Sequence, residues 1–134
     1  MSFDIDELFT NQDLETEGVW VDFYADSKIK IASTDSKAYK SELANLARKH
    51  KLQLDTDNED YFDLIDDLTC EALAKHVVKD WKGINLGNEK DVPYSPSVGK
   101  KVLLKSSKFR AFVEEAASDH KTFKDAVVET VKNS

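Results

Sequence analysis

The acidic run DTDNEDYFDLID, residues 55–66, is the part of this sequence that comes closest to a metal-binding pattern. Carboxylates occupy the first, third, fifth, ninth and twelfth positions of a calcium-binding loop, namely Asp55, Asp57, Glu59, Asp63 and Asp66. The sixth position of such a loop requires glycine for a sharp turn, but Asp60 stands there. The twelfth position requires the longer, bidentate Glu. We therefore predict no calcium site and expect these acids to favour the N-terminus of a helix through its dipole.

Three histidines and one cysteine are the other candidates for metal binding or nucleophilic catalysis. His50, His76 and His120 lie in separate predicted elements, and none has a histidine partner four residues away. Cys70 lies among acidic residues, which raise the pKa of a thiol and weaken it as a nucleophile. A single cysteine excludes an intramolecular disulfide and a Cys-rich zinc site. The motifs GxSxG, P-loop and GxGxxG are absent. We therefore predict a protein that is not an enzyme, with no catalytic residue, metal or cofactor.

The composition limits the classes to which the chain can belong. Its 134 residues, 40% of them apolar, suffice for one domain with a compact core. The net charge of −7 and the pI of about 4.9 disfavour nucleic-acid binding, which requires a basic surface. No segment approaches the ~20 apolar residues that span a membrane, and the acidic start MSFDIDELF is unlike a signal peptide. We expect a soluble intracellular protein that binds neither nucleic acid nor membranes.

Two patterns divide the N-terminal part of the chain. Residues 1–17 contain six acidic residues and no basic one, interrupted by apolar residues. This favours a mobile arm, with a short amphipathic helix that docks late as the alternative. In residues 18–33, apolar and polar residues alternate on both sides of the turn Ala25-Asp26-Ser27. Alternation of this kind predicts a β-hairpin with one buried face, which must pack on other elements to be stable.

Helical periodicity predicts that the remainder of the chain is α-helical. Ser36 is the expected N-cap of a first helix. Apolar residues keep a period near 3.6 from about Glu59 to Trp81, which predicts one long helix. Ser95 followed by Pro96 predicts the start of another. A further helix is expected to carry Phe109, Phe112, Val113 and Ala116. A last helix, with Asp119 as its cap, is expected to carry Phe123, Val127, Val128 and Val131. The predicted fold class is α+β, mainly α-helical, with the hairpin packed on about four to five helices in one globular domain, residues 18–134.

The stretch VKDWKGINLGNEKDVPYSPS, residues 78–97, contains both prolines of the chain and two of its glycines. We predict that Trp81 completes the apolar stripe of the long helix and that Gly83 ends the helix in a left-handed conformation. A polar loop and an extended piece then lead to Ser95. Trp81 and Tyr94 are expected to hold the two helices together across this loop. The stretch offers no nucleophile and no set of metal ligands, so it is predicted to be a structural clasp.

The order of these features resembles the C-terminal half of the tail assembly chaperones of bacteriophages with long, non-contractile (siphovirus-type) tails. The residues that carry the resemblance are Trp81-Lys82-Gly83-Ile84, Val92-Pro93-Tyr94-Ser95 and the Phe-rich segment Phe109 to Ala117, followed by Phe123. The N-terminal hairpin is also similar to that family, and the resemblance covers about residues 18–125. The acidic arm and the asparagine-containing loop at 85–91 depart from the family pattern.

The resemblance implies a non-enzymatic protein of the host cytoplasm that keeps the tape measure protein soluble while the tail tube polymerises. Such chaperones are absent from the mature virion, and many are also made in a longer, frameshifted form. The implied partner is the tape measure protein, with the tail tube protein as a further candidate. The family signature falls on Trp81, Gly83, Ile84, Pro93, Tyr94 and Ser95. Partner binding is assigned to Phe109, Phe112 and Phe123.

The charge distribution leaves other functions open. Residues 55–71 contain eight acidic residues and no basic one, whereas residues 100–132 contain eight basic and five acidic residues. This asymmetry suits head-to-tail self-association or a charged partner, although an ordinary solvated helix surface is the simpler explanation. The alternatives to the chaperone are an acidic interaction protein that blocks a basic site on a host protein, and a structural tail or neck subunit. A continuous acidic face would favour the inhibitor, and an exposed apolar groove would favour the chaperone.

Overall fold

Five α-helices and three β-strands form the described part of the chain. The computed structural model describes residues 2–50 and 59–124. The elements follow in the order α1 Gln12–Glu17, β1 Val19–Asp22, β2 Lys28–Ile31, α2 Lys37–Lys49, α3 Glu59–His76, β3 Val78–Lys82, α4 Pro96–Lys105 and α5 Ser107–Ser118. Short 3₁₀ turns lie at Ile5–Leu8 and His120–Phe123. The predicted fold class, mainly α-helical α+β, is confirmed. Within these residues, none of the helices has the length and apolar character that a membrane crossing requires.

β1 and β2 form the predicted β-hairpin. They pair antiparallel, with Val19 opposite Ile31 and Val21 opposite Ile29. Val19 and Val21 of β1 pack on the core of the protein, and the two isoleucines of β2 are fully buried. At the turn, Ala25 adopts a left-handed conformation with φ 53°. The period-two pattern thus predicted both the hairpin and its buried face.

α3 is shorter than the sequence predicts, because the expected last turn of this helix is a β-strand. The helical pattern predicts continuation to Trp81, but α3 ends at His76. β3 begins two residues later and pairs antiparallel with β2, which gives the sheet order β1-β2-β3. This pairing provides hydrogen-bond partners for backbone N–H and C=O groups of β2, which would otherwise lie at an open edge of the sheet. Gly83 does adopt a left-handed conformation, with φ 71°, but it follows a strand and not a helix.

A β-bulge explains why this strand has a helix-like sequence. The register between β2 and β3 shifts by one residue, and Lys79 is the extra residue on β3. Because of the bulge, Val78 and Trp81 lie on the same buried face although they are three residues apart. A regular strand would place residues two apart on one face, whereas a spacing of three is typical of a helix.

Side chains cap the helices at the predicted places. The hydroxyl oxygen of Ser36 accepts a hydrogen bond from the backbone N–H of Tyr39 at the start of α2. Ser95 caps α4 in the same way, with Pro96 at the first helical position. Asp119 also caps, but it caps a 3₁₀ turn, His120–Phe123, where the sequence predicts the start of an α-helix. The remaining residues of the predicted last helix, Val127, Val128 and Val131, lie outside the described residues.

The core is built around α3. This helix packs against α2 and α4, and α4 packs against α5. Leu73 and Val77, at the C-terminal end of α3 and just after it, are fully buried, as are Ile29 of the sheet and Val113 of α5. Burial of an aliphatic side chain of this size contributes roughly 1.5–3 kcal/mol. The hairpin, α4 and α5 are therefore held in fixed positions by one shared apolar cluster.

The second half of the acidic N-terminal arm is docked on the protein. The backbone N–H of Asn11 donates a hydrogen bond to the carbonyl oxygen of Phe123, and that of Ser33 donates to the carbonyl oxygen of Glu15, each at 2.8 Å. These bonds attach α1 to the end of β2 and to the 3₁₀ turn that follows α5. Residues 2–9 are exposed. Of the two alternatives for this arm, the short docked helix describes residues 12–17.

Candidate functional site

The two aromatic residues of the predicted clasp are in contact. The rings of Trp81, in β3, and Tyr94, just before α4, meet edge to face with centroids 4.9 Å apart. The indole N–H of Trp81 donates to the carbonyl oxygen of Val92 at 2.7 Å. The hydroxyl of Tyr94 donates to the carbonyl oxygen of Ala74 in α3. The contact therefore joins β3 and α3 to the start of α4, whereas the sequence predicted a link between two helices.

Tyr94 is enclosed by a glycine of α4. A Cβ atom at Gly99 would lie 2.5 Å from the hydroxyl oxygen of Tyr94, so the close approach of the helix to this ring requires glycine. Burial raises the pKa of the Tyr94 hydroxyl, and the nearby Asp80 adds to the increase. The hydroxyl is therefore neutral near pH 7 and serves as a hydrogen-bond donor.

A series of aromatic rings leads from this clasp to the protein surface. The centroid of Trp81 lies 6.2 Å from that of Phe109, which lies 5.6 Å from that of Phe23. Phe23 in turn lies 4.7 Å from both Phe112 and Tyr24. Edge-to-face and tilted arrangements of this kind are favourable for aromatic side chains. The series thus begins in the core and ends at the surface with Phe112 and Tyr24.

The surface end of this series lines a depression that we call the aromatic groove. One part, the loop pocket, has a volume of about 420 Å³ and lies between the hairpin turn, the residues after β3 and the start of α5. The other part, the helix pocket, has a volume of about 380 Å³ and lies between the hairpin turn and the outer face of α5. Both parts are lined by Phe23, Tyr24 and Lys108. Their volumes are in the range of protein binding sites.

Three residues of the predicted clasp also line the loop pocket. They are Trp81, Gly83 and Ile84. A Cβ atom at Gly83 would lie 3.3 Å from the Cα atom of Ser27 in the hairpin turn, so this glycine lets the two chain segments approach. The sequence predicts only a structural role for these residues. In the structure they form one wall of the groove as well.

The three phenylalanines predicted to bind a partner differ in their positions. Phe109 and Phe123 are only 5% and 2% exposed and belong to the core, so they offer almost no surface to a partner in this conformation. Phe112 is partly exposed and lines the helix pocket. Phe23 and Tyr24, which form the opposite wall, were predicted as hairpin residues and not as site residues. The sequence does contain one signal for this part of the groove. Tyr24 is an aromatic residue on the polar side of the hairpin, next to the turn, and in the structure it is 60% exposed.

Lys108 is the basic residue that both parts of the groove share. Its ammonium nitrogen lies 5.8 Å from the centroid of the Tyr24 ring, within the range of a cation–π contact. Asp22 and Glu115 add carboxylates to the helix pocket, and Asp22 is paired with Lys28 at 3.5 Å. The loop pocket, in which Lys108 is the charged lining residue, is thus suited to apolar or aromatic side chains that have a carboxylate nearby, whereas the helix pocket is lined by two carboxylates of its own.

Acidic residues of α3 are paired with basic residues of α4 and α5 in the same chain. The ammonium nitrogen of Lys100 lies 3.1 Å from Asp67 and 3.4 Å from Glu71. The guanidinium of Arg110 lies 3.1 Å from Asp66. The charge asymmetry that the sequence suggested for head-to-tail association is therefore in part an arrangement within one molecule. It aligns α3 with the two helices that follow it.

The residues considered for metal binding or nucleophilic attack do not form a site in the described residues. No group of three or more His, Cys, Asp or Glu side chains there could hold a metal ion. Asp55 and Asp57 of the acidic run lie outside the described residues, whereas Asp63 and Asp66 lie in α3. Cys70 is fully buried, and burial raises the pKa of its thiol. His50, His76 and His120 lie at the end of α2, at the end of α3 and in the second 3₁₀ turn.

Comparison with known proteins identifies the family. No curated protein and no solved structure matches the chain significantly. The family model described as YdaY prophage protein matches residues 34–133, which include α2 to α5 and β3. The hairpin and the acidic arm precede the matched region. Because the match covers well over half of the chain, the protein belongs to the YdaY prophage protein family and is of phage origin.

Proposed function

We propose that this phage protein is an assembly factor that binds an apolar segment of a partner protein in the aromatic groove. The observation that carries the proposal is the open end of the aromatic series, where Tyr24 and Phe112 line a depression next to Lys108. Exposed aromatic residues in concave surfaces often supply most of the energy of protein–protein recognition. The protein acts by binding and not by catalysis.

The partner that we propose is the tape measure protein, so that the chain would be a tail assembly chaperone. Support comes from the resemblance of Trp81–Ile84 and Val92–Ser95 to that chaperone family, and from the fit of a helical apolar stripe to a groove alongside α5. The net charge of −7 would keep a coated client soluble by mutual repulsion. In this proposal the chaperone works in the host cytoplasm, binds neither nucleic acid nor membrane, and leaves before the virion is complete. The tail tube protein is a second candidate partner.

The groove favours this proposal over an acidic inhibitor of a host protein. An inhibitor that blocks a basic site would present a continuous acidic face with little exposed apolar surface. Asp66, Asp67 and Glu71 of α3 are instead engaged by Lys100 and Arg110. A structural tail or neck subunit differs in its fate, because mass spectrometry would detect it in purified virions. The chaperone is expected to be missing from them.

Co-expression with the tape measure protein of the same phage tests the proposal. The wild-type chain is expected to move the client into the soluble fraction and to co-purify with it. Ala111→Arg introduces a long charged side chain into the helix pocket and is expected to lower the recovered client at least about tenfold. Ala111 is exposed on α5, and alanine and arginine are both good helix formers, so the fold is expected to persist.

Ala44→Arg is the matched control, because Ala44 is an exposed residue of α2 that does not line the groove. This variant is expected to retain the wild-type yield of soluble client. A client that stays in the pellet with the wild-type chain would show that the chaperone assignment is wrong. Equal recovery with Ala111→Arg and Ala44→Arg would show that the client binds elsewhere on the molecule.

A further inference from the structure

The first residues of the chain expose several apolar side chains to solvent. The N-terminal segment, residues 2–9, is exposed along its whole length. Phe3 and Phe9 are 63% and 62% exposed, and Ile5 and Leu8 are also largely exposed. Contiguous exposed apolar side chains on a soluble protein commonly mark a binding surface. The segment therefore has the composition of a ligand for another surface.

The hydrogen bonds of this segment are local. The backbone N–H of Glu7 donates to the carbonyl oxygen of Asp4, and that of Phe9 donates to the carbonyl oxygen of Asp6, each at 3.1 Å. The N–H of Asp6 donates to the side chain of Asp4. The first bond that ties the chain to the rest of the fold is made by Asn11. Among the described residues, the apolar side chains of the segment lie outside the core cluster.

The charge of the segment complements the loop pocket. Three acidic residues, Asp4, Asp6 and Glu7, stand among its apolar side chains, and no basic residue does. Among the described residues that line the loop pocket, Lys108 is the charged one, and aromatic side chains form much of the wall. The exposed Lys105, the last residue of α4, directly precedes the lining residue Ser106 in the chain. An acidic peptide with aromatic residues has the composition that this pocket favours.

The segment and the loop pocket lie at opposite ends of the molecule. Lys108 is at the start of α5, whereas Ala117, near the end of α5, accepts a hydrogen bond from Thr34 on the side where α1 is attached. Twelve helical residues span about 18 Å. Leu8 lies at the far end, beside His120. The 3₁₀ turn Ile5–Leu8 comprises four residues and extends roughly 8 Å. In this conformation no residue of the N-terminal segment lines the loop pocket of its own molecule.

We propose that the N-terminal segment of one copy of this chain occupies the loop pocket of a second copy. The contact joins two different surfaces, so each copy retains a free pocket at one end and a free segment at the other. Copies therefore associate head to tail in open chains. Since the segment uses the aromatic groove, it competes with the client, and this inference rests on the groove as the binding surface that the proposed function assigns.

Sedimentation velocity over a wide range of protein concentrations tests the proposal. The wild-type chain is expected to show a sedimentation coefficient that rises with concentration. Deletion of residues 2–9 and the substitution Lys108→Glu are each expected to reduce the association constant at least about tenfold. Both changes affect exposed residues outside the core, and circular dichroism checks that the variants are folded. Lys101→Glu, an exposed charge reversal on α4, is the matched control and is expected to associate like the wild type.

A mixture of the two defective chains gives the sharpest result. The deletion variant has a pocket and no segment, and Lys108→Glu has a segment and a defective pocket. The deletion variant mixed with the wild type is expected to cap growing chains and shorten them, whereas Lys108→Glu mixed with the deletion variant is expected to form one-to-one dimers. A wild-type chain that is monomeric at all concentrations overturns the proposal, as does association that survives the deletion. Co-expression separates the two proposals, because the deletion variant is expected to solubilise the client even though it does not self-associate.

Discussion

The two ends of the aromatic series face opposite environments. At the inner end, Trp81 and Tyr94 are packed against each other, and each donates a hydrogen bond to a backbone carbonyl. At the outer end, Tyr24 is 60% exposed and Phe112 lines an open groove. Phe23 and Phe109 connect the two ends. Similar residue types therefore stabilise the fold at one end and line the proposed binding surface at the other.

The difference shows how this small domain can keep an apolar surface exposed. An exposed aromatic residue on a mobile loop would lose much conformational freedom when it binds. Here the rings of the groove rest on rings that are fixed in the core, so less ordering is required on binding. Substitutions at the inner end should therefore change stability, and substitutions at the outer end should change binding.

Trp81→Ala is expected to have the largest effect on stability. Trp81 is almost fully buried, and truncation of such a residue lowers the free energy of unfolding by roughly 3–5 kcal/mol. Urea denaturation followed by circular dichroism measures the change. Trp20→Ala is the control, since Trp20 is only partly buried in β1 and contacts Lys82. Equal losses in the two variants would contradict a special role of the inner end.

Tyr94→Phe is expected to have the next largest effect on the free energy of unfolding. It leaves the carbonyl oxygen of Ala74 without its donor, which costs about 1–3 kcal/mol for a buried group. The comparison variant is Tyr24→Phe, which changes an exposed hydroxyl and should leave the denaturation midpoint unchanged. A midpoint for Tyr94→Phe that equals the wild type would show that this hydrogen bond contributes nothing.

The stability difference between the wild type and Tyr94→Phe is expected to depend on pH, because the pKa of the Tyr94 hydroxyl is raised in the folded state. Burial raises the folded-state pKa of this hydroxyl above the ordinary tyrosine value of about 10. The contribution of Tyr94 to stability is therefore complete below pH about 10, and it decreases as the pH rises toward the folded-state pKa, because the unfolded chain ionises first. The stability difference between wild type and Tyr94→Phe should shrink above pH about 10. A constant difference across this range would contradict the assignment.

Arg110→Met tests the charged face of α5 and is expected to have a smaller effect. The ion pairs of Arg110 with Asp66 and Glu114 are partly exposed, and such pairs contribute about 1 kcal/mol or less. The loss should be clearest in low salt and should nearly vanish at about 1 M salt, where the screening length is only ~3 Å. A loss that is independent of salt would indicate a packing role for the arginine stem.

Tyr24→Ala is expected to change stability least, by about 0.5 kcal/mol or less, because the side chain is largely exposed. It should nevertheless lower client binding at least about tenfold, as truncation of an aromatic residue at the centre of an interface does. A pull-down with the client measures this effect. The comparison of the two ends would fail if Tyr24→Ala bound the client normally or if it unfolded the domain.

The sequence predicts the parts of this structure that depend on neighbouring residues. The hairpin follows from alternation around Ala25-Asp26-Ser27, and the caps at Ser36 and Ser95 follow from residue types next to helical patterns. These signals are local, so that they do not require knowledge of the tertiary structure.

The groove and the third strand depend on contacts between distant parts of the chain. Phe23 and Phe112 are far apart in sequence, and only the packing of the hairpin on α5 brings them together. β3 forms because β2 offers it an edge, whereas its own sequence has the spacing of a helix. The basic residues Lys100 and Arg110 could be predicted as a charged region, but their partners in α3 could not.

The bulge at Lys79 has a consequence for the comparison of relatives in a sequence alignment. Removal of this one residue would turn β3 into a regular strand with Val78 and Trp81 still on the core side, since the pairing on either side of the bulge would become continuous. Family members of different length between α3 and the tryptophan are therefore expected to differ by a gap at this position. In those that lack the residue, the two apolar positions would stand two apart, and the strand would be recognisable from its sequence.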